Sequence, residues 1–201
     1  MTSTALAGLL AGLGLIVAIG SQNAFVLRQG LARQQVLPVV VVCAVSDAVL
    51  IAAGVAGIGT IVEQAPEVLV VMRWAGAAFL TAYGVLSLRR AARGGETLEA
   101  AAQGVTRLWP AVLTTLALTW LNPHVYLDTV LLLGSLASGY GVEGRWAFAA
   151  GAALGSVVWF VGLGYGARLA SGLFARPGAW RVLDLLIGIV MLALAVSLAL
   201  G

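Results

Sequence analysis

Asp47, His124 and Asp128 stand inside stretches that are otherwise apolar, and these are side chains able to hold a cation or pass on a proton. Asp47 has Val39 to Ala44 on one side and Ala48 to Ala53 on the other. An unpaired carboxylate in hydrocarbon costs several kcal/mol, so Asp47 must be paired, protonated or turned toward a watery cavity. Arg73, at the start of a later apolar run, is the candidate partner. A static Asp47–Arg73 pair would lock two helices together, whereas a cation or proton site would use the same carboxylate for coupling. His124, the single histidine, and Asp128 are four residues apart and share one face of a helix. A lone intramembrane histidine also serves as a plain hydrogen-bonding link between helices.

Two polar interruptions must position these groups. In Thr119-Trp120-Leu121-Asn122-Pro123-His124-Val125-Tyr126-Leu127-Asp128-Thr129, Pro123 lacks a backbone donor and clashes with the carbonyl four residues back, so a helix cannot run through it unbroken. Asn122 is a good N-cap and Pro123 a good first helical residue, which predicts a half-helix ending near Trp120 and a second starting at Pro123. Gly20-Ser21-Gln22-Asn23 joins a helix-weakening glycine to three hydrogen-bonding side chains and predicts an unwound segment facing a cavity or a partner. Broken helices at mid-membrane depth are how secondary transporters build ion and substrate sites.

The chain around these sites is a membrane protein by composition: 201 residues, 61% hydrophobic, 9% charged, mean hydropathy +1.04. A spanning helix needs about 20 apolar residues. Six runs qualify, near Thr4–Val26, Leu37–Val62, Glu67–Leu88, Trp109–Leu133, Arg145–Leu169 and Trp180–Leu200. The first starts without a basic residue and outlasts a signal peptide, so it reads as a retained helix. The expected class is all-α, one transmembrane domain over residues 1–201: a first three-helix repeat at about 1–90, a polar linker at about 91–108 and a second repeat at about 109–201. Ala44-Val45-Ser46-Asp47-Ala48-Val49 overlays Ala153-Leu154-Gly155-Ser156-Val157-Val158, and the two polar interruptions lie about 100 residues apart. With three helices per half the second repeat enters from the opposite side, giving an inverted pair with broken helices one and four.

Charge gives orientation. Every basic side chain is an arginine, and Arg28, Arg33, Arg89, Arg90, Arg93, Arg107, Arg168, Arg176 and Arg181 lie by the odd loops, against Arg73 and Arg145 by the even ones. The positive-inside rule then places the odd loops in the cytoplasm and both termini outside. Arginines so placed report orientation and give no reason to expect nucleic acid. Cys43 is alone, which excludes an intrachain disulfide or a cysteine metal cluster; no metal and no cofactor is expected.

The stretches Gly20 to Val26, Val45-Ser46-Asp47, Met72-Arg73-Trp74-Ala75-Gly76, Thr119 to Asp128 and Gly144-Arg145-Trp146 resemble the lysine/arginine exporters of the LysE type, with their arginine-exporting ArgO branch. The resemblance covers nearly the whole chain, and the Trp-Leu-Asn-Pro-His-Val-Tyr-Leu-Asp run carries most of its specificity. Ser21 departs from it, since the family usually has proline there, so the first break rests on Gly20 and the polar cluster. The resemblance implies a plasma-membrane exporter of basic amino acids driven by the membrane energy gradient.

The expected substrate site is Gly20, Ser21, Gln22, Asn23, Asp47, Asn122, Pro123, His124 and Asp128, with Asp47, Arg73 and Asp128 as the coupling or ion-pair set. The partners are L-arginine or L-lysine, protons and membrane lipid; a homo-oligomer is left open. Proton antiport is the expected energy source. Export of neutral amino acids such as threonine or homoserine is the alternative, with a channel-like membrane protein behind it. An enzyme is not expected, because a serine with His124 or the pair Asp47 and Asp128 would have to serve without any nucleophile motif, and no phosphate-binding loop is present.

Overall fold

A computed structural model describes residues 1–17, 20–57, 66–92, 105–170 and 177–200. It is helical almost throughout: α1 (Thr2–Ile16), α2 (Ser21–Ala32), α3 (Val36–Val55), α4 (Pro66–Ala92), α5 (Leu108–Trp120), α6 (Pro123–Val125), a π-helix (Tyr126–Leu132), α7 (Leu133–Ser138), α8 (Gly141–Gly166) and α9 (Pro177–Leu200). Most of the expected linker lies outside the described residues.

Four stretches are long and apolar enough to cross a membrane: Val36–Val55, Val70–Ala92, Gly141–Ala170 and Gly178–Leu200. Taken together, α1 and α2 make a fifth, bent by 85° at the break between them. The chain is a multi-pass, all-helical membrane protein. Two of the six expected spans are not simple crossings: the first is a pair of helices nearly at right angles, and the fourth is cut at Asn122-Pro123, leaving the 13-residue α5 before it.

The first break also moves a boundary. The sequence places the end of the first span near Val26 and Arg28 in a loop, but α2 runs on to Ala32 and Arg28 is 3% exposed. An arginine is tolerated there because a carboxylate on a distant helix meets it, described below.

α3 shows how the bundle is patterned. Leu37, Val41, Val45 and Val49 recur every four residues and are exposed, while Val36, Val40, Cys43, Asp47 and Leu50 are buried on the other face. Both faces are apolar, as a helix between lipid and protein requires, and Asp47 is on the inner one. α1 packs along α8, α4 along α9, and α3 against α8, α5 and residues 126–138. Small residues allow the close approaches: a Cβ at Gly12 would stand 3.0 Å from the Ala152 Cα, and one at Gly54 would stand 2.9 Å from the Val130 Cα. Phe25, Leu118, Phe160 and Met191 fill the main core, and Ile51, Leu133 and Phe148 form a second cluster.

Candidate functional site

The two breaks are built from their own side chains. Gly20 is extended (φ −112°, ψ 174°) and caps α2. Asn23 spans the gap: its Nδ2 donates to the Ile16 carbonyl at 2.7 Å, and its Oδ1 accepts from Trp159 Nε1 at 3.1 Å. A carbonyl orphaned at the end of α1 is thereby satisfied without closing the break. At the second break Asn122 is extended, and its Oδ1 accepts from the His124 backbone N–H at 3.1 Å, with Pro123 at the first helical position as the sequence predicts. Tyr126 folds back, its hydroxyl donating 3.0 Å to the Trp120 carbonyl.

Beyond Pro123 the helix does not resume as a plain α-helix. Tyr126–Leu132 is a π-helix, closed by the Leu133 N–H donating to the Asp128 carbonyl five residues back. The four-residue spacing of His124 and Asp128 is therefore not the local repeat, yet both side chains still line one cavity.

That cavity, about 180 Å³, gathers Gly20, Ser21, Gln22 and Asn23 from the first break, Asn122, His124 and Asp128 from the second, and Asp47 from α3. Leu15, Ile16, Phe160 and Leu194 supply apolar walls. Pro123 lies instead on a neighbouring cavity of about 160 Å³ with Arg73, Leu127 and Ser197, and His124 touches both. Asp47 is 5% exposed and accepts from the Ser156 hydroxyl at 2.6 Å. The ion pairs among the described residues do not include Asp47 with Arg73; among the same residues the Arg73 Nε has no hydrogen-bond partner, and its guanidinium lies 5.6 Å over the Trp74 ring. Among the described residues Ser21 Oγ and Gln22 Nε2 are likewise buried with no oxygen or nitrogen acceptor in reach. Unpartnered buried donors are uncommon, and here two occur beside carboxylates in one cavity, which suits a ligand carrying both charges. Among the described residues no cluster of histidine, cysteine and acidic side chains has metal-binding geometry.

A second charged centre was not anticipated from the sequence. Arg28 Nη1 donates to Asp184 Oδ1, and Arg90 Nε donates to the same oxygen at 3.2 Å, with Arg90 Nη2 on Ser87 Oγ at 2.7 Å. Arg28 also lies 6.0 Å over the Trp180 ring, and Arg90 5.8 Å over that of Tyr83. The signal was available, since Asp184 lies within an apolar run just as Asp47 does; its nearness to the end of the run hid it.

A multi-pass helical bundle with two broken helices, a polar cavity between the breaks and buried charge on the inner faces has the form of a small membrane transporter. The family described as LysE type translocator matches residues 13–201, and the chain belongs to it. It is 39% identical to a lysine exporter LysE of Corynebacterium diphtheriae, with 98% of each chain covered. It is 42% identical to an arginine exporter protein ArgO of Yersinia enterocolitica over 99% of this chain and 97% of that one. It is also 47% identical to a putative amino-acid transporter of Mycobacterium bovis, covering 90% of this chain and 89% of that one. No solved structure matches the chain.

Proposed function

We propose that this protein exports basic amino acids, L-arginine or L-lysine, across the plasma membrane in exchange for protons. The observation that carries the reading is the single cavity in which two helix breaks meet Asp47 and Asp128. Backbone N–H groups at Ser21 to Asn23, in the first turn of α2, suit a substrate carboxylate, and the two aspartates suit its ammonium or guanidinium. The relatives named lysine exporter and arginine exporter agree with that chemistry.

Energy demands coupling. Moving one positive charge outward against an inside-negative potential costs about 2.3 kcal/mol per 100 mV, so an uncoupled carrier would run inward. A carboxylate that binds proton and substrate alternately provides the exchange, and Asp47, held by one hydroxyl and open to the cavity, is the first candidate, with Asp128 and His124 behind it.

Two inverted three-helix repeats are the architecture this reading uses. Asp47 and Ser156, equivalent in the overlay of residues 44–49 on 153–158, bond to each other, as residues on a two-fold axis would. The third helices, α4 and α9, pack together, and α1 on α8 answers to α5 on α3. Both termini then face outside; taking buried Arg28 out of the arginine count leaves the asymmetry in place. In a Cys43→Ser background, single cysteines introduced at Gly94 and Gly201 should label from opposite sides. Proteoliposomes loaded with labelled arginine, lysine, threonine or homoserine test the substrate: efflux of threonine without arginine overturns basic-amino-acid export.

A further inference from the structure

Of the buried charged side chains among the described residues, Asp47 faces the cavity, whereas Arg28 and Asp184 do not. They sit farther along the helices that frame it. Arg28 is five residues beyond Asn23 on α2, roughly 7.5 Å, and Asp184 is ten residues from Leu194 on α9, roughly 15 Å. The displacement is toward the arginine-rich, cytoplasmic side. Between the two levels lies an aromatic layer, with Phe25 fully buried and edge-on to Tyr83 at a 6.1 Å ring separation. At the same end Gln29, also fully buried, clasps the chain entering α5: its Nε2 donates to the Val105 carbonyl at 3.1 Å and its Oε1 accepts from the Val105 N–H at 2.8 Å.

The cluster ties α2 to α4 and α9, helices of both halves, and its composition is unequal to a static brace. One carboxylate oxygen receives two guanidiniums, where one would neutralise it. The two arginines also differ: the Arg28 side chain is 4% exposed and that of Arg90 39%. Arg28 cannot leave without stranding a buried charge, but Arg90 can turn to water at little cost. A cavity of about 310 Å³ lined by Leu88, Ala91, Ala92, Arg181 and Leu185 lies between the same ends of α4 and α9. If a guanidinium or ammonium from outside the protein replaces Arg90 at Asp184, the net charge of the cluster is unchanged.

The geometry points to Arg28, Arg90 and Asp184 as the closed cytoplasmic entrance of the transport path, with Asp184 the carboxylate that receives the cationic end of the substrate when Arg90 swings away. This rests on the proposed export of basic amino acids. Arg90 is then an internal stand-in for the substrate, and Phe25 and Tyr83 are the apolar layer that parts behind it.

The test uses a Cys43→Ser background with Leu194→Cys as a reporter in the cavity wall. An impermeant thiol reagent is applied to the cytoplasmic face in inside-out vesicles and to the outer face in cells. Arg90→Ala should speed cytoplasmic labelling about tenfold, the ratio expected from losing one charge-assisted hydrogen bond, and Asp184→Asn, which weakens two, by at least as much. Asp184→Asn should also raise the KM for arginine at that face about tenfold with a small change in kcat, and Asp184→Glu should restore it. Arg90→Ala, on a half-exposed side chain, should lower that KM and serves as the deciding variant if Asp184→Asn does not assemble. Unchanged labelling in Arg90→Ala overturns the entrance; a loss of kcat without a change in KM in Asp184→Asn overturns the role of its carboxylate. Wild-type vesicles that carry no arginine would defeat the export reading, while labelling still decides whether this layer is the barrier.

Discussion

Asp47 and Asp184 are both aspartates buried on helices that cross the membrane, 5% and 4% exposed, and the protein treats them oppositely. Asp184 is saturated by two guanidiniums. Asp47 has a hydroxyl bond from Ser156 and otherwise faces a cavity where two more polar groups lack partners among the described residues. A buried carboxylate shared by two guanidiniums holds helices together until one of them leaves; one left with a neutral donor is open as it stands. A ligand meets Asp47 directly, whereas it reaches Asp184 only when Arg90 leaves.

The largest effect is expected at the unsaturated aspartate. Asp47→Asn keeps the shape and the partner Ser156 but removes the charge, and should cut arginine export more than about a hundredfold, because the loss falls on the coupled step itself. Folding should be unharmed, checked by monodispersity and thermal unfolding in detergent. Asp184→Asn should show the reverse balance in stability: two guanidiniums lose their counter-charge, and unfolding free energy should fall by about 3 kcal/mol. Equal destabilisation by the two asparagine variants would erase the contrast. Pro123→Ala should let the helix close across the second break, lowering flux about tenfold with expression unchanged; equal losses in both would make the break purely structural. The smallest change is Ser156→Ala, which removes a single neutral hydrogen bond and should alter flux or apparent arginine affinity by about fivefold.

How much of this was written in the chain divides along local and distant causes. Asn122-Pro123 announces its break because the missing N–H and the capping amide act within four residues, and Gly20 to Asn23 announces the first break for the same reason. The π-helix after Pro123 was not legible, since it depends on how residues 126–132 settle against α3. Arg28 looked like a loop residue because hydropathy alone ends the span before it; the partner that lets α2 continue is 156 residues away. Arg73 looked like the partner of Asp47 because it opens a neighbouring helix, yet it lines the adjoining cavity with His124. Sequence spacing finds groups that must be near each other along one helix and is blind to which helices meet.

If Asp47 is the coupling carboxylate, proton and basic amino acid compete for it, and calorimetry on the purified protein measures that competition. Arginine binding is measured in buffers of different ionisation enthalpy, in wild type and in Asp47→Asn, over a range of pH. The expected result is net release of protons on binding to the wild type, shrinking as pH rises because the carboxylate is already deprotonated, with apparent affinity tightening in step. Asp47→Asn should bind weakly and release none. Arginine binding of equal strength in both proteins, with no proton released at any pH, would remove Asp47 from the exchange.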